Sequence, residues 1–403
     1  MERFTKRSFW NFCLMFLLSV FGYELIFFFM TLYVYNLTHD AVNVSFFGVL
    51  TFIPKLLSPL YGTLADRFRK QWVLAISALM TAGLMAALSL VKSIEWIYSF
   101  WFITAVLLAL VANIRGSLFA EIVPKENFSS GNSTMLVLSN AARILAPLIG
   151  GTTALWFDAQ LVFFAISAIY ILAAGLSCLI KSNIDATEKP KGGHSIDILA
   201  GYRYIRENPS VNYIFTLSFF WRLFLGLQIS LLVIYVKTSL GRNDAEYGYF
   251  MTIISLGSVF GSLLGTWLSK AASRNILITV GLSLHYATFA ALGLITRYEI
   301  ACVLGFISFA AFYASLVSIH TTRDAGTRSA IRGRVYGTVT AIITLPALAS
   351  MLAGGYLAQQ FSANMILFSA GLLALVSLFV INRLFSTNRH PDRANAVSLD
   401  QIN

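Results

Sequence analysis

Long apolar runs are the feature that most restricts what this chain can fold into. Segments of roughly 20 or more apolar residues recur along the whole sequence, around 9–36, 43–64, 72–91, 95–119, 130–157, 160–180, 211–237, 246–268, 275–295, 299–320, 333–358 and 364–384. A helix of about 20 apolar residues spans the hydrocarbon core of a bilayer. Because the chain is 57% hydrophobic and only 12% charged, we predict an all-α polytopic membrane protein with twelve transmembrane helices.

Basic residues are distributed unevenly between alternate connections of these runs. One set of connections carries most of the Lys and Arg, whereas the other contains only Lys92, Lys237, Arg242 and Arg297. Because cytoplasmic loops are enriched in Lys and Arg, both termini are predicted to be cytoplasmic. The net charge of +11 is then mainly a topology signal, and we expect no nucleic-acid partner.

The longest polar segment divides the chain into two halves. It includes a predicted amphipathic helix in which Ile198, Tyr202 and Ile205 share one face. This helix is expected to lie along the inner membrane surface, the alternative being a solvated linker. The predicted domains are an N-terminal six-helix bundle at 1–180, a cytoplasmic linker at 181–210, a C-terminal six-helix bundle at 211–385 and a cytoplasmic tail at 386–403.

The two halves repeat one another. Gly62-Thr63-Leu64 recurs 203 residues later as Gly265-Thr266-Trp267, and Gly150-Gly151 recurs 204 residues later as Gly354-Gly355. Two nearly equal separations close to half the chain length indicate an internal duplication, which is common in secondary transporters. The twelve helices are therefore expected to form two pseudo-symmetric bundles.

A dense block of charge, Gly-Thr-Leu-Ala-Asp-Arg-Phe-Arg-Lys, lies at residues 62–70 between the second and third runs. Gly62 allows two helices to approach closely, and Asp66 can cap a helix N-terminus. The basic side chains of this turn favour the cytoplasmic side; they are Arg67, Arg69 and Lys70. The turn resembles the signature loop between helices two and three of the major facilitator superfamily, where it helps to latch the cytoplasmic gate.

Further markers along the chain resemble one branch of that superfamily, which contains macrolide-efflux proteins and the enterobactin exporter. They are Tyr35-Asn36-Leu37-Thr38, the segment 140–151, Glu246-Tyr247-Gly248 and the segment 332–337. The resemblance implies a secondary transporter of the bacterial inner membrane that moves a small-molecule substrate by alternating access. It also implies export, and it adds Arg332 and Arg334 to the predicted cytoplasmic gate.

Several charged residues lie deep inside the predicted spans. At a rise of about 1.5 Å per residue, Glu24, Lys55, Arg143 and Arg222 lie near the membrane midplane. Each such ion costs about 2.5–3.5 kcal/mol on insertion scales, so it needs a partner or an aqueous cavity. We predict that Glu24 is the proton-coupling acid, because a neighbouring cation and burial act on a carboxyl group in opposite directions. The alternative is a permanent structural pair with Lys55 or Arg143.

These charges also suggest the character of a substrate cavity. Its predicted lining is Tyr23, Lys55, Arg143, Trp221 and Arg222. The surplus of positive charge favours an anionic or multiply polar substrate, such as a carboxylate- or catecholate-bearing siderophore. For Arg143, a packing or gating role is an equal alternative to substrate binding. Arg115 lies nearer the inner end of its span and is predicted to belong to the gate.

The fifth run contains residues that bend a helix and allow close packing. Pro147 frees a backbone carbonyl, and Gly150 and Gly151 permit contact with a neighbouring helix. The segment resembles the antiporter motif of superfamily exporters, although Ala146 stands where that motif usually has glycine.

The sequence thus predicts a secondary active transporter for proton-coupled efflux of a siderophore, macrolide or peptide antibiotic. Its expected partners are the substrate, protons and the lipid bilayer, and we expect a monomer. Neither catalytic residues nor a metal site nor a cofactor is expected, because the three cysteines lie in apolar runs and no phosphate-binding loop is present. The alternatives are an uptake permease for an anionic metabolite and a non-transporting receptor on the same fold.

Overall fold

The computed structural model describes residues 6–57, 61, 68–180, 198–327 and 332–386. Almost all of these residues are helical. In chain order the α-helices are α1 (Lys6–Thr38), α2 (Ala41–Phe52), α3 (Lys70–Leu88), α4 (Ile94–Ile122), α5 (Phe128–Trp156), α6 (Ala159–Cys178), α7 (Ile198–Glu207), α8 (Pro209–Ile234), α9 (Asp244–Leu268), α10 (Arg274–Leu292), α11 (Tyr298–Gly326), α12 (Arg332–Gln360) and α13 (Ala363–Ser386).

The lengths of these helices confirm the predicted membrane architecture. Eleven helices of the described chain are long and apolar enough to cross a bilayer. A shorter apolar helix, Ala41–Leu57, consists of α2 and a 3₁₀ turn at Ile53–Leu57 and fits the twelfth position. The protein is therefore an all-α, multi-pass membrane protein.

Local chemistry explains several helix ends. Asp40 precedes α2 in an extended conformation, and its carboxylate accepts a hydrogen bond from the backbone N–H of Val42 at 3.0 Å. Ser273 caps α10 in the same way, with a 3.4 Å bond from the N–H of Ile276. Such caps satisfy N–H groups that have no partner inside the helix. At the C-terminal end of α8, the chain continues as a π-helical turn at Tyr235–Ser239.

The chain forms two compact units. The first unit comprises Met1–Ser195, Ile229–Leu256 and Met351–Ser362, and the second comprises Ile196–Gln228, Gly257–Ser350 and Ala363–Asn403. Both units therefore contain segments that are distant in sequence. The predicted bundles at 1–180 and 211–385 stay a prediction.

In the first unit, α1 packs along α5 and α6, and α3 packs along α4 and α6. An apolar core joins these helices around Phe12, Leu74, Ile114 and Leu118. A buried indole–hydroxyl bond joins α4 to α2, because Trp101 Nε1 donates to Thr51 Oγ1 at 3.0 Å. Satisfied polar contacts of this kind fix helix rotation in a bilayer, where the hydrophobic effect between helices is weak.

Two close helix crossings in the first unit depend on glycine. A Cβ atom on Gly151 of α5 would lie 2.8 Å from the Cα of Gly248 in α9. A Cβ atom on Gly355 of α12 would lie 2.9 Å from the carbonyl oxygen of Ala41 and would also meet the side chain of Ser45 in α2. These backbones can therefore touch only because the side chains are absent.

In the second unit, α10 packs along α11 and α13. Its polar centre is His285, which is 1% exposed and ringed by aromatic side chains. The Nδ1–H group donates to the carbonyl oxygen of Ser308 at 3.0 Å, so Nε2 is the acceptor for the Gln228 amide at 3.2 Å. The histidine is thus packed and hydrogen-bonded, as expected for a structural residue.

Helix α7 is present where the sequence predicts an amphipathic linker helix. Its Ile205 is 1% exposed and packs with Val211, Val339 and Ile343 of the second unit. The neighbouring Tyr204 hydroxyl donates to the carbonyl oxygen of Gly326 at 2.9 Å. One face of α7 is therefore covered by protein, whereas Tyr202 is exposed.

Candidate substrate and proton-coupling site

The first unit brings three of the predicted midspan charges together. Glu24 of α1 and Arg143 of α5 form an ion pair with 3.8 Å between Oε1 and Nε. Their side chains are 23% and 36% exposed, respectively, so the pair is neither fully buried nor fully solvated. Lys55 is close enough to interact electrostatically with Glu24, and its Nζ lies 3.9 Å from the centroid of the Phe52 ring. A carboxylate is therefore placed beside two cations inside the membrane-spanning region.

A second group of polar side chains adjoins this pair. Tyr23 interacts electrostatically with Glu24 and Arg143 on one side and with Arg115 on the other. Arg115 also interacts with Tyr170 of α6, and its guanidinium lies 5.1 Å from the centroid of the Phe16 ring. Among the described residues, Arg115 Nε and Nη1 and the Tyr170 hydroxyl have no hydrogen-bond partner although they are buried. The gate role predicted for Arg115 stays a prediction.

Tyr170 is a member of this group that the sequence does not single out. In the sequence, Tyr170 is distinguished only by having a polar hydroxyl group in an otherwise apolar run. This does not reveal which neighbouring helix the ring contacts. The ring fits because α1 has Gly22 at the contact: a Cβ atom there would lie 2.7 Å from Tyr170 Cε2.

Trp221 and Arg222 lie in the second unit. The Arg222 guanidinium stacks on the Trp221 ring at 4.7 Å, and the indole packs on Phe312 at 4.9 Å between ring centroids. Both residues line a cavity of about 220 Å³. The remaining lining residues are Val211, Ile214, Phe215, Ser218, Leu316, Ile319, His320, Arg323, Val339, Thr340 and Ile343.

The predicted cytoplasmic gate is described only in part. Gly62, Asp66 and Arg67 lie outside the described residues, as do the side chains of Arg332 and Arg334, although α12 begins at Arg332. Arg69 is exposed and precedes α3 in an extended conformation without a side-chain capping bond.

Lys70 forms an ion pair with Glu121 near the end of α4. The two side chains are only 16% and 10% exposed, so the pair joins the start of one helix to the end of another in a largely buried place. Glu121 is not among the residues predicted from the sequence. The sequence does contain a sign of this pair. Glu121 is an acidic residue at the predicted cytoplasmic end of a span, on the same side of the membrane as the basic turn at 62–70.

Two further acidic residues are also absent from the predicted site. Asp40 accepts a 2.9 Å hydrogen bond from the Gln359 amide, and Asp244 accepts a 2.7 Å bond from the Asn36 amide while pairing with Lys237. Asp40 and Asp244 are 204 residues apart, which is the separation of the sequence repeat. All these contacts belong to the first unit.

The predicted helix-bending segment packs tightly on both sides. A Cβ atom on Gly150 would lie 2.7 Å from Phe28 of α1, and one on Gly248 would lie 2.5 Å from the carbonyl oxygen of Pro147. The Pro147 carbonyl group therefore lies directly against α9. Among the described residues, no group of three or more His, Cys, Asp or Glu side chains has the arrangement of a metal site.

Comparison with known proteins agrees with this architecture. Residues 12–329 match the sequence profile of the Major Facilitator Superfamily. The multi-drug resistance efflux pump PmrA of Streptococcus pneumoniae is 28% identical over 182 residues, which are 44% of this chain and 45% of the pump. The multidrug resistance protein MdtG of Dickeya zeae is 24% identical over 378 residues, which are 91% of this chain and 90% of that protein.

Solved structures show the same fold. A POT family transporter in complex with a thioalcohol-conjugated peptide superposes with a TM-score of 0.77 at 14% identity, covering 95% of this chain and 96% of that chain. The nucleoside transporter NupG superposes with a TM-score of 0.76 at 13% identity, covering 94% and 99%. The match to the family profile confirms the predicted superfamily and indicates a transporter rather than an enzyme. The chain belongs to the Major Facilitator Superfamily.

Proposed function

We propose that the protein exports a small organic molecule across the bacterial inner membrane in exchange for protons. The family gives the transporter class, and the names of the relatives favour efflux. The substrate classes proposed are siderophores, macrolides and peptide antibiotics. In this proposal both termini are cytoplasmic, the protein acts as a monomer, and two bundles alternate in opening the cavity to either side.

The ion pair between Glu24 and Arg143 carries the proposal. A carboxylate in a membrane span is costly unless it is paired or hydrated, and here it is paired across two helices at 3.8 Å while still 23% exposed. Protonation of Glu24 neutralises it, which releases Arg143 from α1. Because α1 and α5 are then no longer joined by charge, the change of protonation can accompany a change in helix packing.

In this proposal the pair has two states, one with Glu24 ionised and one with Glu24 protonated, and neighbouring groups act on both. Lys55 is a second cation close enough to interact electrostatically with Glu24. Once Glu24 is neutral, it no longer competes with an anionic or polar group of the substrate for the positive charges of Arg143 and Lys55. Proton entry supplies about 2.3 kcal/mol per charge for each 100 mV of membrane potential, which is enough to move a substrate against a gradient.

The ion pair between Lys70 and Glu121 belongs, in this proposal, to the cytoplasmic gate, and both of its residues lie in the described part of the chain. It ties the start of α3 to the end of α4, next to the charged turn at 62–70. We propose that Asp66, Arg67 and Arg69 of the turn, together with Arg115, Arg332 and Arg334, belong to the same gate.

Accumulation in cells tests the proposed function. Cells with and without the protein are loaded with a macrolide, a catecholate siderophore, a carboxylate siderophore or a peptide-nucleotide antibiotic, with and without a proton uncoupler. We expect one compound to be retained less when the protein is present, and the uncoupler to abolish the difference. Greater uptake in the presence of the protein would instead indicate a permease, and no change across the panel would contradict the proposed substrate classes.

A further inference from the structure

We infer that the cavity of the second unit is a binding site for the anionic group of a soluble organic molecule, with Arg222, His320 and Arg323 as its basic residues. The inference rests on the proposed function, because it assigns the cavity to the transported molecule. It adds two residues, His320 and Arg323, to the charges that the sequence predicts to face a substrate.

The basic residues converge on one cavity from two helices. Arg222 comes from α8, whereas His320 and Arg323 lie three residues apart on α11 and therefore on one face of that helix. His320 is exposed and interacts electrostatically with both arginines and with Asp324. All of them lie in the second unit, so the site is complete within it.

The charges of this cluster are not balanced. Asp324 accepts a 3.1 Å hydrogen bond from Arg323 Nε and a second bond from the Tyr336 hydroxyl. Arg323 also stacks on the Tyr336 ring at 4.1 Å, so its position is fixed by two contacts. Arg222, in contrast, forms no ion pair with a described residue, and its buried Nε has no hydrogen-bond partner among them. One positive charge therefore remains for a ligand.

The walls of the cavity suit an anion that carries an apolar body. The lining is mainly aliphatic and aromatic. The Ser218 hydroxyl is already bonded to the carbonyl oxygen of Ile214 at 2.7 Å, which leaves the guanidinium groups of Arg222 and Arg323 as the strong donors. The Arg222 guanidinium lies over the Trp221 ring, so an oxyanion can bind the guanidinium N–H groups while an aromatic or aliphatic group contacts the indole. A carboxylate or phosphate on an apolar molecule fits these requirements.

A pair of probes that differ only in charge tests the assignment. The full-length protein is purified in detergent, and binding of 2-naphthoate and of 2-naphthamide is measured by calorimetry without any ion gradient. We expect 2-naphthoate to bind and Arg222→Gln to weaken it about tenfold, the loss typical of one charge-assisted hydrogen bond. Arg222→Lys, which keeps the charge, should retain most of the affinity. Binding of 2-naphthamide should not depend on Arg222.

Arg274→Gln is the matched control, because Arg274 is exposed at the start of α10 and does not line the cavity. A second arm separates a soluble anion from a lipid headgroup. Binding is repeated in phosphatidylcholine nanodiscs with and without phosphatidylglycerol, and we expect the affinity for 2-naphthoate to stay the same. Competition by phosphatidylglycerol, equal binding of the two probes, or unchanged affinity in folded Arg222→Gln would overturn the inference.

This experiment can fail independently of the proposed function. If charge-selective binding is found but no compound of the panel is exported from cells, the site assignment stands and the proposed efflux of these substrate classes is wrong. If export is found but Arg222 does not affect binding of 2-naphthoate, the anion site is wrong and efflux stands.

Discussion

Tyr23 separates two groups of charge within the first unit. On one side is the ion pair of Glu24 and Arg143, and on the other is Arg115, whose buried nitrogens face Tyr170 without a described hydrogen-bond partner. A guanidinium in a span is costly when its buried nitrogens lack hydrogen bonds. His285 in the second unit, in contrast, has partners on both ring nitrogens.

A substitution at His285 distinguishes a structural residue from a coupling residue. His285→Phe keeps a ring of similar size but removes both hydrogen bonds, leaving the Gln228 amide buried without a partner. We expect a loss of about 1–3 kcal/mol in stability, measured as a lower apparent Tm in detergent. The double variant His285→Phe/Gln228→Leu removes both polar partners and should recover part of that loss. A single variant as stable as the native protein would contradict the structural role.

Helix crossings carry the next level of organisation. Helices α5 and α9 meet backbone to backbone at Gly151 and Gly248, with the carbonyl oxygen of Pro147 against the same glycine. Such a contact can slide or separate only as a unit, because no flexible side chain lies between the helices. It also explains why the proline and the glycines of α5 occur within about one turn of each other.

Gly248→Ala tests this crossing. The new methyl group would lie 2.5 Å from the Pro147 oxygen and 2.8 Å from the Gly151 Cα, so α5 and α9 must move apart. We expect a destabilisation of about 1–3 kcal/mol, as for overpacked cores, measured by thermal unfolding in detergent. Gly175→Ala in α6 is the control, since no atom lies within 4 Å of its Cβ position, and it should be neutral or slightly stabilising. Equal effects of the two substitutions would show that the crossing is not tight.

The internal repeat is visible in contacts between the two halves of the sequence. Gly151 and Gly355 are 204 residues apart, and their contact partners Ser45 and Gly248 are 203 apart. Asp40 and Asp244 are separated by 204 residues, and each accepts a hydrogen bond from a side-chain amide in the other half of the sequence. The duplication therefore places two related sets of contacts in the first unit.

The paired acids provide a test at this scale. In a background without native cysteines, Ser45→Cys reports on access to the crossing of α2 and α12. We expect Asp40→Asn/Asp244→Asn to raise its labelling rate with an impermeant maleimide several-fold, because each substitution weakens the bonds to Gln359 or to Asn36 and Lys237. Asp158→Asn, an exposed N-cap without a side-chain capping bond, should leave labelling unchanged. Equal labelling rates in the Ser45→Cys protein, in its Asp40→Asn/Asp244→Asn variant and in its Asp158→Asn variant would contradict a role for these bonds.

Most of the fold, but only part of the site, can be predicted from the sequence. The length of the apolar runs indicates the number of spans, and the rise of an α-helix puts Glu24 and Arg143 at similar depths in the bilayer. Depth does not give the rotation of a helix about its axis, however, so the neighbours Tyr170 and Glu121 cannot be assigned in this way. The interval between Asp40 and Asp244 is present in the sequence, but the residues that bond them depend on helix packing.

Glu24→Gln gives the most direct test of proton-coupled export. The protein is reconstituted in proteoliposomes, and transport of the substrate identified in cells is measured with and without an imposed proton gradient. We expect the variant to exchange substrate at equilibrium but to lose gradient-driven accumulation, because glutamine keeps the side-chain size and cannot release a proton. Glu299→Gln, at the exposed start of α11, is the control and should behave as the native protein. Full gradient-driven transport with unaltered pH dependence in Glu24→Gln would contradict proton coupling through this residue.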